Sequence, residues 1–252
     1  MKILILILFY LSVSLAQDTK IYFYTTDVNI NNFRSLKTSF DDYFSAYGDY
    51  EFQPFSDKKT FEKHLKEKKS ILILSSWHYK KICKNYNLEA ILVAQKKGSV
   101  TDTKILVGKK NTEFKGLLTS AYDKEYTQEL IQKLTKTTTN SIPILIVPKE
   151  IDALMSVSFG MSSFALVSKD SLEFLNKINP SLTKELHVYE ESKPKYRILL
   201  ANNQIEKNKH KIITMFNNMD LSKKGKDILN SMGIDKLVTL NSNDLIMLGD
   251  VK

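Results

Sequence analysis

Ile71-Leu72-Ile73-Leu74-Ser75-Ser76-Trp77-His78-Tyr79 decides how the rest of the chain is read. Four aliphatic residues follow the charged segment Lys66–Lys69. An unbroken aliphatic run of this length suits a strand buried on both faces, in the middle of a parallel sheet covered by helices. The run stops at two hydroxyls, an indole, an imidazole and a phenol. In open α/β sheets the carboxyl ends of strands border the crevice where ligands sit, so Ser75 to Tyr79 reads as a ligand-facing lip. The same residues also read as a capped helix start, with Ser75 or Ser76 as N-cap and Trp77 and Tyr79 as packing residues. The nine residues alone leave both readings open.

Outward from this run, the pattern alternates strand and helix. Lys20–Thr26 reads as a first strand. Phe33, Leu36, Phe40, Tyr43, Phe44 and Tyr47 then recur at spacings of three and four, an amphipathic helix ended by Gly48. Tyr50–Phe55 alternates as a strand, and Phe61 and Leu65 mark a helix. Trp77–Tyr86 reads as helical and Leu88–Ala94 as a strand. This rhythm belongs to a mostly parallel α/β sheet.

Beyond a polar loop at Gln95–Thr103, Lys104–Val107 reads as a strand, and Phe114–Leu118 and Glu125–Leu134 as short helices. Thr135–Ser141 is a polar connector. Ile142–Val147 reads as a second strongly buried strand whose Pro143 argues for an edge or a strand start. Lys149–Val157, Phe164–Val167 and Ser171–Ile178 follow as helix, strand and helix, the last capped by Ser168 or Asp170. Leu186–Tyr189 and Tyr196–Ala201 are strands, and the remainder is helical. Eight glycines and five prolines punctuate 252 residues, too few for a linker between independent domains.

Met1–Ala16 carries Lys2, an apolar run, and small residues at Ser14 and Ala16, the pattern of a signal peptide cleaved before Gln17. The run is short for a membrane span, and no cysteine follows it to carry a lipid anchor. The expectation is a soluble exported protein, periplasmic or extracellular, without stable membrane insertion. Cys83 is the single cysteine. It excludes an intramolecular disulfide and reads as a small buried hydrophobe. The net charge is +9, and +8 once Lys2 is removed. That balance favours acidic partners, but the lysines are scattered and no run interleaves them with aromatics as nucleic-acid binding requires.

Enzyme signatures are missing. Ser156-Val157-Ser158-Phe159-Gly160 lacks the first glycine of a nucleophile elbow. His64, His78, His187 and His210 show no metal-ligand spacing with one another or with Cys83, and there is no phosphate-binding or dinucleotide glycine loop. Neither an enzyme nor a cofactor is expected.

The stretch Pro148–Val167 resembles the helix-then-strand segment of phosphate/phosphonate-type substrate-binding proteins of ABC transporters. Asp152-Ala153 matches the family's helix start, Gly160 its glycine, and Phe164–Val167 its strand. Ile178–Leu182, Leu186–Glu190, Tyr196–Leu200 and Asp227–Asp235 are similar to the family in order and spacing, and Ile71–Tyr79 aligns as well. The resemblance covers most of Lys20–Asp244. It implies the two-lobed type 2 periplasmic-binding-protein fold, with each lobe a mostly parallel sheet flanked by helices and two crossover strands forming the hinge. Mapped here, residues 18–103 plus 197–252 form one lobe and 104–196 the other, in an expected monomer.

The resemblance further implies that a small, anionic ligand sits between the lobes. Lobe one offers Thr25, Thr26, Ser75, Ser76, His78 and Tyr79, the last matching a tyrosine that often faces the ligand in this family. Lobe two offers Ser120, Tyr122, Tyr126 and Thr127, while Asp152 reads as a helix N-terminal residue. Convergent neutral donors and a helix N-terminus can hold an anion without full counter-charge. The family's Ser-Thr-Ser-Gly loop, whose backbone N–H groups receive the anion, is replaced here by Lys115-Gly116-Leu117-Leu118-Thr119-Ser120-Ala121-Tyr122, then Tyr126-Thr127. The implied partner is the permease of an ABC importer. A membrane sensor kinase, or an interaction role without a ligand, are the alternatives on the same fold.

Overall fold

Every residue of the strand β3 (Ser70–Leu74) is buried, because helices cover its sheet on both sides. The computed structural model describes residues 19–26, 30, 32–67, 70–136, 142–202 and 209–248; the leader read from Met1–Ala16 lies outside them. Beside β3 lies β1 (Thr19–Tyr24), which pairs in parallel with both β3 and β2 (Tyr50–Pro54). On the other flank the returning strand β12 (Leu199–Asn202) inserts antiparallel between β3 and β4 (Glu89–Gln95). The edge strand β13 (Lys236–Thr239) completes the sheet, in the order β13-β4-β12-β3-β1-β2.

Two apolar layers sandwich this sheet. One lies under the helix α1 (Phe33–Phe44), where Phe40 stacks on Phe52 with ring centroids 3.9 Å apart. Asn32 caps α1 by accepting from the Ser35 N–H. The carboxy-terminal helices α8 (Lys209–Asn217) and α9 (Lys223–Ser231) close the same side through Phe216, Ile228 and Leu229. The other layer joins Phe61 of α2 (Lys58–Lys63) to Tyr79, Ile82 and Cys83 of α3 (Ser76–Tyr86). Cys83 is buried and unbridged, as its lone occurrence predicts.

The second sheet has the order β10-β6-β9-β7-β8. Here β7 (Leu118–Ser120) runs parallel to β8 (Ile144–Ile146) and β9 (Phe164–Ser168). In turn β6 (Lys104–Lys109) runs antiparallel to both β9 and β10 (Leu186–Glu191). The helices α4 (Lys124–Thr135), α5 (Glu150–Ser158) and α6 (Lys169–Ile178) cover it. Between the sheets, β5 (Thr101–Asp102) and β11 (Lys195–Tyr196) pair antiparallel as a ribbon where the chain leaves lobe one and returns to it.

Three expectations fail. The part after Ala201 is not all helical, since Lys236–Thr239 pairs with β4 as the edge strand β13. Phe114–Leu118 is not a helix: Gly116 adopts a positive φ, and Leu118 starts β7 with its N–H on the Pro143 carbonyl. The strand expected at Ile142–Val147 is confined to Ile144–Ile146 and is not deeply buried, since β8 is the outermost strand and leaves Leu145 and Ile146 on the surface. Its edge position is the one Pro143 pointed to.

Candidate functional site

The carboxyl ends of β1 and β3, the amino terminus of α3 and the amino terminus of α4 meet at the seam between the lobes. The capped-helix reading of Ser75–Tyr79 holds, for β3 ends at Leu74 and Ser75 is the N-cap residue of α3. The Ser75 hydroxyl is 2.8 Å from that of Thr25, tying the ends of the two strands. Ser76 donates to the Tyr196 carbonyl and so fastens the helix start to the ribbon.

Trp77 reaches across to the second lobe. Its indole stacks on Tyr126, ring centroids 5.3 Å apart, and joins the apolar cluster that includes Tyr122, Leu130 and Phe164. Ion pairs rim this stack. Lys58 of α2 meets the carboxylate of Asp123, and Lys81 of α3 meets Asp123 at 3.6 Å and also Glu125. Asp123 is the N-cap of α4 and accepts from the backbone N–H groups of Glu125 and Tyr126. Partial burial would raise its pKa. The Lys58 bond, the two lysine charges and the Tyr126 N–H prevail, and hold the carboxyl below its ordinary range.

His78 is fully buried, with Nε2 2.9 Å from the Glu62 carboxylate. Burial lowers its pKa, and the Glu62 bond and charge only partly oppose this. The imidazole is therefore neutral at pH 7, and because a carboxylate can only accept, the proton sits on Nε2. That leaves Nδ1 as an acceptor. Among the described residues, Nδ1 of His78, Nε1 of Trp77, Oγ1 of Thr26 and Oδ1 of Asn217 are buried with no hydrogen-bond partner. Buried polar atoms are nearly always satisfied, and two of these orphans sit on the stacked rings of Trp77 and His78 at the seam.

The His78 shift has a testable consequence. A folded-state pKa below the unfolded value of 6.5 means that the unfolded chain takes up the proton first as pH falls. The contribution is intact above that value and shrinks as pH drops through it toward the folded pKa. The melting temperature of His78→Gln is expected to fall less than that of the parent chain between neutral pH and pH about 5. Parallel falls in the two proteins would assign the acid sensitivity to other groups.

No protein-family model matches the chain, and no curated protein sequence does. Solved structures do. The binding-protein component of an ABC phosphonate transporter from Pseudomonas aeruginosa superposes with a TM-score of 0.70 at 14% identity, over 92% of this chain and 85% of that one. PhnD1 from Prochlorococcus marinus, in complex with methylphosphonate, gives 0.71 at 12% identity over 92% and 98%. The chain has the type 2 periplasmic-binding-protein fold. A histidine kinase sensor domain similar to periplasmic binding proteins shares it less closely, with a TM-score of 0.55 at 12% identity over 87% of this chain and 98% of that one. At such identities the likeness carries the fold and leaves the ligand to the residues.

Within this periplasmic-binding-protein fold the expected site residues divide. Thr25, Ser75, Ser76 and His78 gather at the lobe-one side of the seam, Thr26 is buried just beyond the end of β1, and Tyr126 meets the group from lobe two through Trp77. Ser120 and Thr127 are fully buried and satisfy each other, Thr127 donating to the Ser120 hydroxyl at 3.0 Å. Tyr122 is fully buried and donates to Glu150. Asp152 lies in the first turn of α5, as a helix N-terminal residue should.

Tyr79 is a correction. It points away from the seam into the lobe-one core, donating to the Leu88 carbonyl and accepting from the Ala90 N–H, both at 3.1 Å. Asp123, Lys58, Lys81 and Glu62 were not among the expected residues. An aspartate directly before the periodic run of α4 is a capping signal. The lysines that reach it lie 65 and 42 positions earlier in the chain (123 − 58 and 123 − 81), where no local pattern marks them.

Proposed function

We propose that the chain is an exported solute-binding protein that clamps a small polar ligand between its lobes for delivery to the permease of an ABC importer. The lobes comprise residues 18–103 plus 197–252 and residues 104–196. The fold favours this reading, and one observation carries it: Trp77 and His78, stacked 5.3 Å apart at the seam, each hold a buried polar atom with no partner. Trp77 can only donate and neutral His78 Nδ1 can only accept. A ligand completing both must offer an acceptor and a donor, as a hydroxyl, an amide or a protonated oxyacid does. The amino terminus of α4 already holds the Asp123 carboxylate, which argues against a fully ionised oxyanion bound there as the family resemblance implies.

Trp77 is the only tryptophan and lies in the seam, so its emission reports occupancy directly. Titrating the purified chain with phosphate, phosphite, methylphosphonate, sulfonates and neutral hydroxyl or amide compounds should give a saturable change for a ligand bearing both donor and acceptor. A bound ligand also raises the melting temperature by mass action. The Lys58–Asp123 and Lys81–Asp123 pairs favour a second reading, a lobe pair shut without ligand that acts through surface contacts, including as a sensor input. Silence of Trp77 toward the whole series, with closed-lobe X-ray scattering throughout, would select it over solute capture.

A further inference from the structure

The crossing ribbon carries charges that the seam does not use. Asp102 and Lys104 sit two residues apart, and Lys195 pairs with Asp102 in register. Asp102, Lys104 and Arg197 all border one chamber beside the ribbon. They line a cavity of about 180 Å³ bounded by the start of α6 in lobe two and by the end of α9 in lobe one. Its remaining wall is apolar, formed by Ile198, Met232 and Ile234, all buried. A cavity of about 150 Å³ accommodates a benzene ring, so this one has room for roughly seven or eight non-hydrogen atoms.

The polar groups in this cavity are incompletely matched. Arg197 donates from Nε to the Ser99 carbonyl at 3.2 Å and from Nη1 to Asp170 at 2.7 Å, using two of the five N–H groups of a guanidinium. Asp170 is doubly paired, with Lys96 at 3.1 Å as well. Asp102 fares less well. One oxygen accepts from the Thr103 N–H at 2.8 Å, but its cation, Lys104, stands 3.9 Å from the other and is shared with Glu150 at 3.7 Å. Burial raises the Asp102 pKa, and the Lys104 and Arg197 charges and the Thr103 N–H only partly compensate. A carboxylate short of a donor and a guanidinium with N–H groups to spare thus share one partly apolar chamber.

We propose that this hinge cavity is a second ligand site, for a small zwitterion of amino-acid type. Its ammonium group pairs with Asp102, its carboxylate with Arg197, and its aliphatic part packs on Ile198, Met232 and Ile234. The occupant touches both lobes and the ribbon joining them, so its binding is linked to the angle between the lobes. The site is separate from the seam around Trp77, and the inference stands whether or not a solute is captured there.

Valine has the required size and charges and serves as the probe. It should raise the melting temperature of the purified chain saturably, by about 5–10 °C at a hundredfold excess over Kd. Isovalerate and isobutylamine, which are valine without its ammonium and without its carboxylate, should bind at least tenfold more weakly. Asp102→Asn should abolish the response. Ser231→Trp, at an exposed position lining the cavity, should block it without touching the charges, and decides the matter alone if Asp102→Asn does not fold. A parent chain that valine fails to stabilise would overturn the proposal. So would a valine response equal in parent and Ser231→Trp proteins, which would move the binding elsewhere and leave the seam reading intact.

Discussion

Replacing Tyr79 by alanine is expected to destabilise the chain by about 3–5 kcal/mol, the range for deleting a large buried aromatic ring. The side chain is wholly buried in the layer beneath β3, among Leu72, Leu74 and Val93. Deletion also strands the Ala90 N–H and the Leu88 carbonyl at the start of β4, which water cannot reach to replace the phenol. Tyr79→Phe keeps the ring and isolates that second effect, at about 1–3 kcal/mol for a buried donor left unpaired. Urea unfolding of the three proteins should show a graded fall in midpoint at constant slope. Ligand affinity per folded molecule should be unchanged in Tyr79→Phe. A tenfold loss of affinity in a fully folded Tyr79→Phe protein would return the hydroxyl to the binding site.

Tyr79 also shows where reading the chain succeeds and where it stops. Ile71–Leu74 is legible because a strand covered on both faces needs no polar alternation, and Ser75 is legible as a cap because the strand runs straight into a helix. The direction of Tyr79 was available too: Tyr79, Ile82, Cys83 and Tyr86 recur at helical spacing, a stripe that faces the core. Trp77 and His78 lie off that stripe and are free to face the other lobe. The family likeness to a ligand-facing tyrosine outweighed this local periodicity, and the periodicity was the better guide. Phe114–Leu118 failed for the opposite reason. Leu118–Ser120 becomes a strand by pairing with β8 and β9, whose residues lie more than twenty positions away in sequence. The same holds for the Lys58–Asp123 bond: each partner looks like an ordinary surface charge until the lobes meet.

Trp77→Ala is expected to unlatch the lobes. The indole is 6% exposed, stacks between His78 and Tyr126 and belongs to the lobe-two apolar cluster, so much of the loss of about 3–5 kcal/mol for a buried tryptophan falls on closure. The rim cannot make up that loss. Lys58, Lys81 and Asp123 are partly solvated, and such pairs contribute about 0–1 kcal/mol each. With the stack gone, an open population should appear as a larger radius of gyration in X-ray scattering, while far-ultraviolet circular dichroism stays that of the parent. Lys58→Ala should move the radius little by comparison. Binding at the seam should weaken in proportion to the lost closed fraction, since a ligand that needs the closed state must first restore it. An unchanged radius together with a lower unfolding midpoint would mean that the two sheets melt as one unit. Trp77 would then be a core residue shared by both, and the seam no longer a jaw.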